Sequence, residues 1–429
     1  MLKLILPFIY GLLLFQTLYA QPLPDTLEIT PEAAEVAFLE GNLKLLADRL
    51  EINESQALLI QARAWPNPTI AIDEVNLWTN YGAEELGRIT GNWGNHAQLS
   101  MDIEQLIQTA GKRKKAIALA KTSVDIAEQN FGDLLQSLRL ELRTQLAALY
   151  YSQKRLSLYH QQLEQLRVLL GAYQRQVEQG HVSQSEYLRL KAAEMALIKA
   201  IDDIRGENTE AQQALKSMLG SPAHRVLIVS EPGNLPSPQH IKSFSAEGLV
   251  SRAMENRPSL KTAALQADYA KQQLAYERAH RIPDLTVSMG YDRGGNIMRD
   301  FIGLGVSVDI PVFNKNKGNT LAAQVAVERH RLLASDRENE VKAAVLQAWH
   351  ALSLTVERLE RFDENYETDL DRIAESHHRS FASRHISLLE YLDFLWAYLE
   401  GKDLLLETNK SLLAHYETLQ FMVGSQLTD

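Results

Sequence analysis

The sequence predicts a mostly α-helical protein with a smaller β-sheet part, assembled as a two-fold internal repeat. Residues 180–188 and 384–392 share His, Ser, Glu, Tyr and Leu in the same register. Long stretches of the chain lack proline, and short segments alternate between apolar and polar residues. A repeat of roughly 200 residues indicates one supersecondary unit that is built twice.

The composition narrows the class of protein. The chain has 429 residues, of which 45% are hydrophobic and 23% are charged, as in globular proteins. A net charge of −10 argues against nucleic acid as a partner. The chain has no cysteine, which excludes disulfides, thiolate metal sites and a lipid-modified N-terminal cysteine.

Residues 1–20 are predicted to form a signal peptide. Lys3 precedes an apolar run from Leu4 to Phe15, and Ala20 lies before a plausible cleavage point. The apolar run is too short to cross a bilayer comfortably, although an uncleaved anchor helix is the alternative. We expect no transmembrane helix in the mature chain, because no later apolar stretch is long enough.

We expect the first repeat to span residues 21–230 and the second to span 231–429. Long helices are predicted because no proline lies between Pro68 and Pro222 or after Pro311. Apolar residues recur every three or four positions, as in a coiled-coil seam. The predicted helices are 112–179 and 183–219 in the first repeat, and 319–382 and 387–423 in the second. A soluble coiled-coil rod remains an open alternative.

Each long helix follows two predicted strands. Strict alternation, such as Leu285, Val287 and Met289 against Thr286 and Ser288, is typical of a strand with one apolar face. The predicted strands are 68–78, 95–104, 283–291 and 301–311. Segments of ~10 residues with this pattern match transmembrane strands, but an ordinary half-buried hairpin is equally compatible with it. Aromatic residues fall near the predicted strand ends, namely Trp78, Trp93, Tyr291 and Phe301.

Four strands cannot close a barrel by themselves. An open sheet edge is not tolerated in lipid, because its backbone groups have no partners there. If these strands cross a membrane, several chains must therefore share one barrel, and three copies would give twelve strands.

This order of elements resembles the TolC-type outer-membrane efflux proteins, and most closely their heavy-metal, CzcC-like branch. The residues that carry the resemblance are the repeated motif at 180–188 and 384–392, Trp65-Pro66-Asn67-Pro68 before the first strand, and Asp309-Ile310-Pro311-Val312-Phe313 at the fourth. The resemblance implies four transmembrane strands per chain, and a homotrimer with a 12-stranded barrel on an α-helical barrel. It implies a Gram-negative outer membrane with its lipid, and a large periplasmic portion.

The resemblance also implies a function. The protein would be the passive exit duct of a tripartite efflux system, with heavy-metal cations as a possible cargo. An inner-membrane pump of the RND type would supply the energy, and a periplasmic adaptor would join pump and duct. The alternative is a soluble periplasmic coiled-coil adaptor or scaffold protein.

Glu390 and Asp393 are the predicted pore constriction. They are three residues apart, so they share one helix face beside the second turn. They match the acidic positions that line the constricted tip in the resembled family, and three copies would give six carboxylates around one axis. Such a ring attracts cations. A solvated acidic face is the alternative.

The two turns are the predicted adaptor-docking tip. The residues concerned are Gly180, His181, Val182, Ser183 and Glu186 in the first turn, and Arg384, His385, Ile386 and Ser387 in the second. The serines could instead serve only as helix caps. Because Arg384 stands where the first turn has a glycine, we expect the second turn to be shaped differently.

No catalytic site, cofactor or bound metal is expected. The chain lacks phosphate-binding, nucleophile-elbow and zinc-protease motifs. Glu375, His377 and His378 lie together, but adjacent histidines on a helix point in different directions. Asp309 is predicted to face the lumen from the fourth strand, with a strand-end position as the alternative.

Overall fold

The structure is a computed structural model that describes residues 25–76, 85–90, 97–232, 237–294, 298–363 and 365–427. The predicted signal peptide, Trp78 and Trp93 lie outside the described residues. The chain divides into two compact units, and each unit takes segments from both sequence repeats. Residues 44–138, 244–350 and 419–429 form the first, here called the sheet unit. Residues 1–43, 139–243 and 351–418 form the second, here called the turn unit.

Helices account for most of the described residues. They are α1 (Pro31–Gly41), α2 (Leu43–Arg63), α3 (Lys112–Glu178), α4 (Gln184–Leu219), α5 (Pro238–Lys242), α6 (Ala246–Asn256), α7 (Pro258–Ala279), α8 (Lys317–Leu359), α9 (Tyr366–Ala382) and α10 (Leu388–Val423). The strands are β1 (Thr26–Ile29), β2 (Thr69–Asn76), β3 (Gln98–Ile107), β4 (Val226–Val229), β5 (Leu285–Asp292) and β6 (Phe301–Val308). Among the described residues, no helix is both long and apolar enough to cross a bilayer.

The second repeat has two helices where the sequence predicts one over 319–382. Helix α8 ends at Leu359, and α9 begins only at Tyr366. The amides of Arg361 and Phe362 bond to carbonyls three residues earlier, which tightens and ends the helix. Asn365 directly precedes α9, but its side chain makes no capping hydrogen bond. No glycine or proline marks this break, so the pattern of the sequence did not reveal it.

The sheet unit is built around a four-stranded antiparallel sheet in the order β2-β3-β5-β6. Its register puts alternate residues of neighbouring strands side by side, which separates an apolar face from a small and polar one. The apolar face carries Ile70, Ile72, Met101, Ile103, Val287, Met289, Ile302, Leu304 and Val306, all exposed in the single chain. The other face carries Asp73, Asp102, Glu104, Ser288, Asp292 and glycines.

One glycine of the polar face is required by the space around it. A Cβ on Gly290 would collide with Oδ1 of Asp102, so a larger residue would displace that carboxylate. The strand ends also differ from the sequence prediction. Strand β6 ends at Val308, so Asp309 lies just beyond the strand rather than within it. The strand-end alternative therefore describes Asp309 better.

The turn unit contains a small parallel sheet that the sequence did not predict. Strands β1 and β4 pair over four residues each. The side-chain amides of Gln153 and Gln212 both donate to the carbonyl of Leu227, at 2.9 and 2.7 Å. Strands this short show no usable alternation, which explains why sequence reasoning missed them.

The internal repeat is visible in matching helix-end contacts. In the turn unit, the Asn42 side chain donates to the carbonyl of Met218 at the end of α4. In the sheet unit, the Arg257 side chain donates to the carbonyl of Phe421 at the end of α10. Each pair joins the residue after a short helix to the last turn of a returning helix, where carbonyls lack intrahelical partners.

The core of the turn unit includes a stack of aromatic rings between α3, α9 and α10. Phe381 stacks on Tyr391 with ring centroids 4.5 Å apart, and on Tyr173 at 5.6 Å. His378 lies beside this stack, with Nδ1 at 3.5 Å from the Tyr391 hydroxyl. Burial raises the pKa of Tyr391 to about 12 and lowers the pKa of His378 below its ordinary value. The packing therefore favours a neutral His378.

Acid should weaken the turn unit through His378. The unfolded chain protonates this histidine at a higher pH than the folded chain does, so stability falls as the pH drops below about 6.5 towards the lowered folded pKa. Replacing His378 with Gln should reduce the loss of thermal stability between pH 7.5 and 5.5, followed by circular dichroism in detergent. The control is His350→Gln, which changes an exposed histidine on α8. An equal acid sensitivity in all three proteins would contradict the prediction.

Candidate functional site

The two turns that connect the long helices of the turn unit have the same backbone structure. Gly180 has φ of 75° and Arg384 has φ of 61°, both in the left-handed region. The next amide reaches back to an equivalent carbonyl in each turn, from His181 to Gln176 at 2.9 Å and from His385 to Ser380 at 2.8 Å. The expectation that the second turn is shaped differently is therefore wrong.

The side chain of Arg384 explains why arginine is tolerated at this position. A left-handed conformation costs a residue with a Cβ roughly 1–2 kcal/mol. The Arg384 guanidinium donates to Oε1 of Gln176 on α3, at 2.6 Å, and this bond offsets part of the cost. The bond also ties the second turn to the end of α3. Sequence reasoning could not find this partner, because the two residues are 208 positions apart.

A serine caps the returning helix in each turn. Oγ of Ser183 accepts from the amide of Glu186, and the Glu186 carboxylate accepts in return from the amide of Ser183. Oγ of Ser387 accepts from the amide of Glu390 at 3.2 Å. Each serine therefore caps its returning helix.

Glu390 and Glu186 occupy equivalent positions but differ in what their carboxylates do. Glu186 is held in the reciprocal cap of the first turn. Among the described residues, nothing donates a hydrogen bond to the Glu390 carboxylate. The Glu390 carboxylate is therefore available to the surroundings of the second turn.

Glu390 and Asp393 share the exposed face of α10. Both side chains are exposed, as is Leu389 beside them. The opposite face of the helix is committed to the core of the turn unit through Leu388, Tyr391, Leu395, Tyr398 and Leu399. Arg189 stands on α4 at the position that Asp393 has on α10, and it is also exposed. Only the second turn therefore combines two carboxylates on one face.

The other predicted tip residues divide into two groups. His181, Ser183, His385 and Ser387 are exposed at the turns. Val182 and Ile386 are half-buried, and Ile386 packs against the hydrophobic core of the turn unit. The turns therefore present a polar surface over an apolar base.

The histidines near the second turn take part in packing. His377 stacks on Phe394 with ring centroids 4.0 Å apart, and His378 lies against Tyr391. Within the described part of the chain, no three His, Cys, Asp or Glu side chains are grouped as a metal site would require. The stacks are contacts that sequence reasoning did not foresee.

A cluster of polar contacts fixes the hairpin that carries the second turn. Nζ of Lys402 on α10 lies 2.8 Å from Glu367 and 3.1 Å from Asp371, both on α9. The hydroxyl of Tyr398 donates to Asp371 at 2.9 Å. Gly401 lets the helices approach closely, since a Cβ there would lie 2.8 Å from the Tyr366 hydroxyl. The hairpin therefore holds Glu390 and Asp393 on a fixed helix.

Comparisons with known proteins agree with this arrangement. A family model described as "Outer membrane efflux protein" matches twice, at residues 36–221 and 249–425. The chain is similar to the cobalt-zinc-cadmium resistance protein CzcC of Cupriavidus metallidurans, with 23% identity over 74% of both chains. It is also similar to the nickel and cobalt resistance protein CnrC of that organism, with 24% identity over 67% of this chain and 65% of the relative.

The fold is shared with solved outer-membrane channels. The Campylobacter jejuni CmeC outer membrane channel matches with a TM-score of 0.74 and 12% identity, over 92% of this chain and 85% of that one. The predicted resemblance to TolC-type proteins, including the heavy-metal branch, is confirmed. So is the outer-membrane location, and the alternative of a soluble adaptor or scaffold is set aside. Since the family model covers most of both sequence repeats, the chain belongs to the outer membrane efflux protein family.

Proposed function

We propose that three copies of this chain form the exit duct of a tripartite efflux system. The observation that carries the proposal is the four-stranded sheet of the sheet unit. Among the described residues, strands β2 and β6 each have one neighbour, so each leaves a row of backbone groups unpaired. Such edges are not tolerated in lipid, and joining β6 of one copy to β2 of the next removes all of them. Three sheets would supply twelve strands, a number within the range known for transmembrane β-barrels.

The two faces of the sheet suit such a barrel. The apolar face would meet lipid, and the face with Asp73, Asp102, Glu104 and Asp292 would line the lumen. Export through a duct of this kind is passive, so energy must come from an inner-membrane pump, for which we propose the RND type. A periplasmic adaptor would connect the two. The relatives CzcC and CnrC are named for resistance to cobalt, zinc, cadmium and nickel, which supports heavy-metal cations as the cargo.

The mass of the protein in detergent tests the assembly. Three copies of the 48.4 kDa chain, less any cleaved signal peptide, are expected in one particle that requires detergent for extraction. Cysteines placed at Ile72 on β2 and Leu304 on β6 should cross-link between chains only in that particle. A cysteine pair at Ile72 and Val287, which lie on strands that are not neighbours, is the control. A water-soluble monomer or dimer would contradict the proposal.

We further propose that Glu390 and Asp393 form the pore constriction. Their support is two exposed carboxylates on one face of α10, held by a hairpin whose other face is buried. Three copies would put six carboxylates around the axis. A ring of this kind concentrates cations and repels anions.

Neutralising the ring should alter ion passage without loss of the trimer. The variant Glu390→Gln with Asp393→Asn should reduce cation selectivity in planar bilayers and slow the entry of Co²⁺ and Zn²⁺ into proteoliposomes. A control with the same change in charge is Asp369→Asn with Glu375→Gln, since both are exposed acids of α9. If the first variant conducts like the unmodified protein, the two acids do not line the pore.

We propose that the two turns bind the periplasmic adaptor. The support is that both turns repeat one backbone structure and expose the same residue types, His181 and His385, beside a capping serine. A partner with its own repeated helical tips could recognise both turns in the same way.

Charge reversal at the turns tests adaptor binding while leaving the caps in place. His181→Asp together with His385→Asp should weaken binding of the purified adaptor of the host's efflux system about tenfold or more. The control variant His350→Asp changes an exposed histidine on α8. Unchanged adaptor affinity in the double variant, measured in detergent by surface plasmon resonance, would limit the two turns to a structural role.

A further inference from the structure

One end of the four-stranded sheet carries exposed aromatic and cationic side chains. The register defines this end, since Leu285 pairs with both Ile107 and Val308. The chain leaves the sheet here to begin α3 and α8. Six residues that lie just beyond the strands at this end are here called the basal belt. They are Trp65, Lys114, Arg281, Phe313, Lys315 and Lys317.

The apolar face of the sheet continues into the basal belt. Ile310 and Val312 follow β6 and are 76% and 62% exposed. Phe313 is fully exposed, and Trp65 is 62% exposed. Large aromatic rings at the end of a lipid-facing surface are typical of the boundary between hydrocarbon and headgroups.

Trp65 is held at this surface by an arginine. The Arg113 guanidinium lies 4.4 Å from the centre of the Trp65 ring. The same guanidinium donates to the carbonyl of Arg63, so its position over the ring is fixed from the other side. A cation held over an indole face is an attractive contact in its own right. The ring is therefore presented outward by the fold.

The cations of the basal belt are available for an external anion. Lys114, Arg281, Lys315 and Lys317 are exposed, and within the described part of the chain no carboxylate pairs with any of them. Lys112 differs, since it is buried and lies 2.8 Å from the Asp284 carboxylate. The charge of Lys112 is thus neutralised inside the protein, whereas the other four cations lie at the surface.

We propose that the basal belt binds the headgroups of anionic phospholipids in the leaflet that faces the periplasm. The inference rests on the proposed function, because it requires the sheet to lie in the outer membrane. Lysine and arginine stems extend along apolar surface while their charged ends reach headgroup phosphates. Each basic residue near an anionic leaflet adds attraction, and the aromatic rings fix the depth of the sheet.

Charge distribution favours this occupant. Asp309 is also exposed beside the belt. Two further acids lie at this end, but Asp284 pairs with the buried Lys112, and Glu277 accepts from the side chain of Asn316. The four exposed cations therefore outnumber the exposed Asp309. The opposite end of the sheet carries acids such as Asp292 and Asp300, and its Arg293 is buried, with the guanidinium donating to the carbonyl of Gly87. An anionic headgroup layer is therefore complementary to the end from which the helices leave.

Lipid selectivity in vesicles tests the proposal. The full chain is reconstituted in phosphatidylcholine with a trace of spin-labelled phosphatidylglycerol or phosphatidylcholine, and electron spin resonance measures the immobilised fraction of each. The unmodified protein should prefer phosphatidylglycerol about fivefold, the factor that corresponds to one basic contact. The variant Lys114→Gln, Arg281→Gln, Lys315→Gln, Lys317→Gln should lose this preference.

Two further variants separate charge from position. Lysine-to-arginine replacement at 114, 315 and 317 should keep the preference. Neutralising Lys44, Arg49, Lys121 and Lys261, which are exposed on α2, α3 and α7, changes the net charge equally and should also keep it. Loss of the preference in this second set would overturn the proposal, because it would reflect net charge alone.

Three other results would also contradict lipid binding by the basal belt. If excess glycerol phosphate removes the preference, the belt binds a soluble phosphate. If the quadruple variant no longer forms the particle seen by mass measurement, the belt is a contact between chains. If the unmodified protein inserts but shows no preference, the lipid inference alone is wrong, whereas failure to insert contradicts the proposed function itself.

Discussion

Unpaired backbone groups along β2 and β6 are the constraint on which the rest of the molecule depends. In the part of the chain that the structure describes, each edge strand has one neighbour, and a backbone group without a partner in lipid costs several kcal/mol. The other features of the sheet unit fit a barrel that several chains close together. The apolar residues on one face need an external apolar surface, and the glycines on the other leave room for carboxylates such as Asp102.

In the turn unit, hydrogen bonds and ion pairs between side chains fix the helices to one another. Arg155 on α3 reaches Asp403 on α10 and Glu207 on α4, and the Tyr159 hydroxyl donates to Asp403 at 2.7 Å. These contacts join three helices that the apolar seam alone could leave free to slide. The buried face of α10 leaves Glu390 and Asp393 on the exposed face, which is where the proposed constriction requires them.

Sequence reasoning succeeded where a periodic pattern was long and failed where geometry was local. The spacing of Leu142, Leu146 and Leu149, all buried in α3, indicates a helix because it persists over many turns. The parallel pairing of β1 with β4 and the break after Leu359 involve only a few residues each, without glycine or proline. The shape of the second turn depends on a bond from Arg384 to Gln176, which no local pattern encodes.

The break between α8 and α9 has a consequence for helical phase. Gly111 and Asn316 are equivalent, since each has a positive φ and each carbonyl accepts from the amide four residues later, and they are 205 positions apart. Gly180 and Arg384 are 204 apart, so the second half has one residue fewer between these points. One missing residue rotates every later side chain by about 100° around a continuous helix. The interruption at 360–365 separates α8 from α9, so the missing residue does not pass on as a rotation from one helix to the next.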